Sequence, residues 1–316
     1  MDAGAAFVAR AIEHQLGVRP DHMTRGPSGY GEEVFEAVLG DRTVLFKADR
    51  EPGMGRVVLE AWAYQHVREL GAPAPRVLAT DLGRDTYPRN FIIIEKVAGV
   101  PLEDVDVEAE ERHRLIREAG WVIRAVHEIG VPGFGLLQET TYLRSAQVGG
   151  EYDSWEEFLT EVLDVTIPAL RSGGVLDDAE VERVDRAVVD HAEYYDLGPV
   201  GHLLHGKFDP AHVLVDEGRI TGIVDFGDRC SGDPAWDLGG FLVDNVVETR
   251  HLLAGYDPNK GRAAAFEATI PLYVALRAML AARRAHNESR AVDRDHLLAV
   301  ADASFDALGY PLRHTS

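Results

Sequence analysis

The apolar positions at the start of the chain, Ala5, Phe7, Val8, Ile12 and Leu16, recur at helical spacing and predict an amphipathic helix. Val34 and Val38, then Val44 and Phe46, flank a Gly40-Asp41 turn signal, which predicts two antiparallel strands. Residues 55–70 return to helical periodicity and stop at Gly71, with Pro73 and Pro75 just beyond. FIIIEKV reads as a short buried strand, broken by Gly99-Val100-Pro101. Helical spacing then fills 108–127, 154–171, 177–195, 262–286 and 289–307, and between the third and fourth of these VLVD and ITGIVDF read as short strands. The pattern predicts an α+β protein with a small β-rich lobe, 1–98, and a larger, mainly helical lobe, 99–316.

Composition narrows the class. The chain has 316 residues, 46% of them hydrophobic, which is ample for a sizeable core. Its 32 Lys and Arg against 53 Asp and Glu give a formal net charge of −21. That balance argues against a nucleic-acid backbone as partner, because counterion release needs a basic footprint. It leaves a cationic ligand or plain solubility open. A single cysteine, Cys230, allows no intrachain disulfide and no cysteine-rich metal site. The first twenty residues lack a basic stretch followed by an apolar core, and the longest uninterrupted apolar runs are far shorter than a membrane span of about 20 residues. The expectation is a cytoplasmic protein without a membrane segment.

The chemistry concentrates in residues 203–241, LLHGKFDPAHVLVDEGRITGIVDFGDRCSGDPAWDLGGF. His205, Gly206, Asp225, Phe226, Gly227, Asp233, Pro234, Asp237 and Leu238 follow in an order that resembles the catalytic core of the aminoglycoside phosphotransferase family, within the protein-kinase-like fold. Lys47, Glu60 and the hinge-like segment 95–97 fall in the same order as in that family. The resemblance implies a two-lobe kinase-like fold that moves the γ-phosphate of ATP or GTP to a hydroxyl of a small, antibiotic-like acceptor. It implies Lys47 on the α- and β-phosphates, Glu60 orienting it, and Asp225 on Mg²⁺ or Mn²⁺. Ser28 and Gly29, in a Gly-containing loop, would cover the phosphates, and the backbone of Glu95 and Val97 would meet the base.

Two positions depart from the family pattern. Lys207 stands where relatives carry the catalytic aspartate, and a lysine charged at neutral pH cannot accept the hydroxyl proton. Three accounts remain open from the residues. Electrostatic stabilisation suffices without a base; Asp209 supplies the carboxylate instead; or the protein is a nucleotide-binding pseudokinase, natural or inactivated, with Lys207 paired to Asp225 or a phosphate. A related reading keeps the fold with another chemistry, in which Lys207 contacts an anionic substrate. His212 occupies the place of a metal-binding asparagine, and its imidazole suits Mn²⁺ or Zn²⁺ better than Mg²⁺, or simply bonds within the loop. His205 reads as a structural member of the motif and Asp237 as an acceptor of backbone N–H bonds. His127, Trp236 and Phe241 read as core.

Two acidic runs, 101–111 and 151–164, hold six acids each and no lysine or arginine. A solvated helix face is the commoner meaning of such runs, and reception of a cationic acceptor is the functional one.

Overall fold

The computed structural model describes residues 3–26, 31–51, 54–83 and 86–311. In chain order the elements are α1 (Ala3–Leu16), β1 (His22–Arg25), β2 (Glu32–Leu39), β3 (Arg42–Asp49), α2 (Arg56–Glu69), β4 (Val77–Asp81), β5 (Phe91–Glu95), β6 (Val100–Pro101) and α3 (Ala109–His127). Then come β7 (Gly130–Pro132), β8 (Phe134–Leu137), α4 (Glu139–Ser145), β9 (Gly150–Tyr152), α5 (Trp155–Ser172), α6 (Asp178–Asp190), β10 (Val200–Leu204), β11 (Val213–Asp216) and β12 (Arg219–Ile223). The chain ends with β13 (Cys230–Gly232), α7 (Pro234–Leu242), α8 (Thr249–Tyr256), α9 (Ala263–Asn287) and α10 (Ala291–Ala307). Contacts divide it into two units. The first is 1–106 with 137–149 and 211–229, and the second is 107–136, 150–210 and 230–316. The expected boundary near residue 98 takes no account of the two returns to the first unit.

In the first unit five antiparallel strands run in the order β1-β2-β3-β5-β4. The predicted hairpin forms, with Val34 opposite Lys47 and Val38 opposite Thr43. Of the apolar residues that mark the two strands, Val44 and Phe46 meet the core and Val34 and Val38 do not. Phe35, Ala37 and Leu39 of β2 join Val44, Phe46 and Ala48 of β3 and the buried side of α1, namely Val8, Ala11 and Ile12. A one-residue offset in a strand exchanges the faces, so Val34 is left with Leu45 and Lys47 on the side that lines a cavity. The helix α2 has no capping side chain of its own at Gly55. Asp49, wholly buried at the end of β3, accepts the Val57 N–H at 3.2 Å instead, and is held by the Asn90 amide at 3.1 Å. That distant cap fixes the start of the helix that carries Glu60. A small sheet, β12-β11-β6, completes this unit.

The second unit holds the sheet β7-β10-β13-β8-β9 and most of the helices. Its centre is aromatic: Trp155, Trp236 and Tyr273 meet edge to face, and the Trp155 indole donates to the Tyr273 hydroxyl at 2.8 Å. Trp236 and Phe241 are buried, as the sequence implies. One helical stretch, Ala264–Asn287, is long and apolar enough by length and composition to cross a bilayer, although no uninterrupted apolar run marks it. Its most apolar window is 56% buried within the fold, and it packs against α7 and α10 as a core helix.

Candidate functional site

Within the first unit, β3 and α2 bring Lys47 and Glu60 together. The Lys47 ammonium donates to both Glu60 oxygens, at 2.6 and 2.5 Å, and Glu60 is completely buried. A second carboxylate, Glu32 at the start of β2, lies 3.0 Å from the same ammonium. Burial alone would lower the Lys47 pKa, but Glu60 and Glu32 outweigh it and hold the amine above its ordinary value, so it stays charged. Glu32 moves the other way. Burial, followed by the charge of Glu60, raises its carboxyl above the ordinary 4.5, and Lys47 offsets only part of this.

One turn after Glu60, Tyr64 points in the same direction. Its hydroxyl donates to Glu60 Oε1 at 2.7 Å and accepts the Asp225 backbone N–H at 3.0 Å. Burial drives this phenol well above its ordinary value, so it remains a donor. Asp225 has φ 67° and stands just before the 3₁₀ turn Phe226–Asp228. Phe226 packs edge to face against Tyr64, and Arg56 donates to the Gly227 carbonyl at 2.9 Å. The Asp225 carboxylate is about half exposed, with His212 Nε2 3.4 Å from its Oδ2.

These groups border a cavity of about 360 Å³. Val34, Leu45, Leu214 and Val224 line it with apolar surface, Lys47 and Asp225 with charge, and residues 95–97 pass along it. The Glu95 carboxylate lies 3.2 Å from Arg76, so what Glu95 has to offer there is backbone. Gly99 adopts φ 119°, and a Cβ at that position would stand 2.6 Å from the Val215 carbonyl oxygen. An apolar slot ending in a fixed ammonium and an accessible carboxylate has the donor set for a planar base, a polyphosphate and a hard divalent cation. Ser28 and Gly29 lie outside the described residues.

In the second unit, the 205–209 segment is held from beneath. Asp233 caps α7 by accepting the Ala235 N–H at 2.9 Å, with Pro234 in the first turn. This sets Asp237, completely buried, to accept the His205 N–H at 2.7 Å and the Gly206 N–H at 2.9 Å. Gly206 takes φ 81°, a conformation that favours glycine. His127 supports the same carboxylate through Nε2 at 3.1 Å and meets the Tyr256 hydroxyl through Nδ1 at 2.9 Å. Burial would raise the Asp237 pKa, but His127, through its hydrogen bond and charge, holds it below the ordinary 3.8. His205 is buried and its Nδ1 accepts the Lys207 N–H at 3.3 Å. Lys207 and Asp209 are half-buried.

Glu32 and Tyr64 were not foreseen. Tyr64 carried a signal, since i and i+4 share a helix face, but Glu32 acquires its role only from strand pairing. Some acids of the two runs have local tasks. Glu110 and Glu111 lie in the first turn of α3, and Glu157 closes a capping box with Ser154 at the start of α5.

Residues 22–278 match the model of a phosphotransferase enzyme family. Hygromycin-B 4-O-kinase of Escherichia coli is 26% identical over 185 residues, covering 58% of this chain and 51% of that protein, about half its length. Viomycin phosphotransferase of Streptomyces vinaceus is 26% identical over 276 residues, covering 81% of this chain and 88% of that protein. Among solved structures, a thermostable mutant of aminoglycoside phosphotransferase APH(4)-Ia, in ternary complex with ADP and hygromycin B, is similar with a TM-score of 0.68 at 18% identity, over 95% of this chain and 98% of that one. The GDP complex of aminoglycoside 2'-phosphotransferase-IIIa gives a TM-score of 0.66 at 14% identity, over 96% and 99%. At these identities the structural likeness is one of fold, and the fold is kinase-like.

Proposed function

The chain belongs to the phosphotransferase enzyme family, and on that footing we propose that it transfers the γ-phosphate of ATP or GTP to a hydroxyl of a small, antibiotic-like acceptor. The observation that carries this reading is the Lys47–Glu60 pair, joined through Tyr64 to Asp225 at a single cavity. Phosphoryl transfer asks a protein mainly for positioning and for neutralisation of phosphate charge. Lys47, kept charged by its carboxylates, holds the α- and β-phosphates, and Glu60 fixes the ammonium in place. Val34, Leu45, Leu214 and Val224 exclude water from the base, which takes its hydrogen bonds from the backbone of 95–97.

Asp225 and His212 are the residues that would hold a divalent cation, Mg²⁺ or Mn²⁺, whose bound charge offsets that of the phosphates. Lys207, Asp209 and His205 are carried over from the family pattern as further candidates. In this reading Lys207 contributes positive charge toward the reactants' anionic groups, Asp209 is the carboxylate nearest in sequence to accept the acceptor's proton, and His205 holds the Lys207 backbone. The acceptor is expected from the chemistry named in the relatives, a polar antibiotic with free hydroxyls. That expectation rests on hygromycin-B 4-O-kinase and viomycin phosphotransferase and belongs to this chain only as a proposal.

The test has two stages. Thermal unfolding with ATP or GTP, plus Mg²⁺ or Mn²⁺, should rise with nucleotide concentration by linkage. Mass spectrometry of hygromycin B, viomycin and further aminoglycosides after incubation should then reveal a product heavier by one phosphate. Stabilisation by nucleotide without any phosphorylated product, in the wild type and in Lys207→Asp alike, would overturn the transferase reading. No stabilisation with either metal would overturn the nucleotide site as well.

A further inference from the structure

We propose that Glu32 is a specificity-determining residue of the phosphate site: by holding the cavity-facing side of Lys47, it makes the site favour a nucleotide that arrives with its divalent cation over the metal-free nucleotide. This rests on the proposed phosphotransferase function and specifies what its donor site admits. An ammonium has three donors. The two Glu60 oxygens engage it at 2.6 and 2.5 Å from a completely buried position. Glu32 Oε2 lies 3.0 Å from the same nitrogen, and Glu32, unlike the sealed Glu60, borders the cavity. An entering phosphate oxygen therefore finds the ammonium already committed. Glu32 is the partner it can reach and displace.

The charges around the slot decide what that displacement costs. Among the lining residues, Lys96 is paired with Glu36 at 2.7 Å and Glu95 with Arg76 at 3.2 Å, so these two leave no surplus. Lys47 itself faces three carboxylates, Glu60, Glu32 and Asp225, whose charges all reach it. His212, 3.4 Å from Asp225, leaves the acids in excess whether its imidazole is charged or neutral. Arg229 is close enough to feel Glu60 and Glu32, but it faces its own carboxylate, Glu139, at 3.4 Å. Arg56 donates to the Gly227 carbonyl at 2.9 Å and stands 4.0 Å from Asp228. Arg50 approaches only the Glu32 backbone carbonyl, at 3.4 Å.

Burial, then the charge of Glu60 and more weakly that of Asp225, oppose the ionised form of Glu32, and Lys47 favours it. A polyphosphate that takes Lys47 for itself strips Glu32 of that support and adds negative charge to an acidic pocket. A divalent cation arriving with the phosphates relieves both effects. It offsets their charge and gives the displaced carboxylate a new counter-charge.

Isothermal titration of the full chain at pH 7.5 with ATP and, in parallel, GTP, in EDTA and in Mg²⁺, tests the assignment. Wild type should bind the magnesium complex at least tenfold more tightly than the free nucleotide. In Glu32→Gln and Glu32→Ala the free nucleotide should bind at least tenfold more tightly than in wild type, so the advantage conferred by Mg²⁺ shrinks. Glu69→Gln removes one charge from the exposed end of α2 and controls for net charge; its affinities should match wild type. Free-nucleotide affinity unchanged or lowered in both Glu32 variants, or an equal gain in Glu69→Gln, would overturn this assignment while leaving nucleotide binding itself in evidence. Absence of binding with and without Mg²⁺, in wild type and variants alike, would overturn the nucleotide site and this assignment with it.

Discussion

Glu60→Gln should be the most informative single change. It keeps the shape of the side chain and an oxygen for the Tyr64 hydroxyl, and removes only the charge facing Lys47 at 2.5 Å. At an effective dielectric of about 20, unit charges at that separation attract by roughly 7 kcal/mol. Burying both ions costs several kcal/mol each, so the gross figure is not the net one, and breaking a buried pair typically costs about 3–5 kcal/mol. Glu32 remains 3.0 Å from the ammonium and keeps it partly compensated. The expected loss is therefore at the lower end, about 3 kcal/mol. Urea unfolding of wild type, Glu60→Gln, Lys47→Met and the double variant would give the coupling directly, provided the slope with denaturant is unchanged. A coupling of about 2–3 kcal/mol is expected. A value below about 0.5 kcal/mol would refute the view of Lys47 and Glu60 as one energetic unit. Nucleotide affinity should fall at least tenfold in Glu60→Gln, because the ammonium would then be held by Glu32 alone.

Glu32→Gln should behave oppositely. A carboxyl whose folded pKa is raised stabilises the fold fully below its ordinary 4.5 and loses that contribution as pH rises through the folded value. The variant should match wild type near pH 4 and exceed it at pH 7.5, as read by urea midpoints; a deficit at pH 7.5 would contradict the shift. Asp237 has a lowered pKa, so its contribution is present above 3.8 and lost as pH falls through the folded value. Asp237→Asn should cost about 3 kcal/mol at neutral pH and flatten that acid limb in a pH series of unfolding midpoints. Gly99→Ala, forced to φ 119° with its Cβ 2.6 Å from a carbonyl oxygen, should destabilise by about 3 kcal/mol or more in thermal unfolding. Lys207→Asp should raise the rate at which the acceptor is phosphorylated, measured by product mass; an unchanged rate would remove the lysine from the rate-determining chemistry.

The parts of this protein legible in its sequence are those whose physics is local or carried by a motif. α2 and α3 show their periodicity over three or more turns, whereas the nine-residue α7 was not predicted although Asp233-Pro234 offers the capping chemistry that starts it. The Lys47–Glu60 pair, foreseen from order along the chain, is present as an ion pair. The sheet of the second unit escaped because β7, β8, β9, β10 and β13 have three to five residues each, too few for a period of two to emerge. The core face of β2 was not legible, since Val34 and Val38 are as apolar as the residues that face α1. Only the helix packed on one side distinguishes the two faces. Glu32 could not be seen because its partner lies across the sheet, in a register fixed by the turn.

The return of residues 211–229 to the first unit has a further consequence. Lys47, Glu60, Tyr64 and Asp225, with every described residue that lines their cavity, belong to that one unit although the second unit's chain passes between them in sequence. Exchange of segments within 150–200 or 243–311 therefore touches no described side chain that lines it, and leaves Lys207, Asp209 and Asp237 in place. Under the proposed function, such a division lets acceptor preference diversify by recombination or drift while the handling of the phosphate donor is inherited intact. Chimeras that take those segments from a relative should keep the nucleotide response and change only what is phosphorylated.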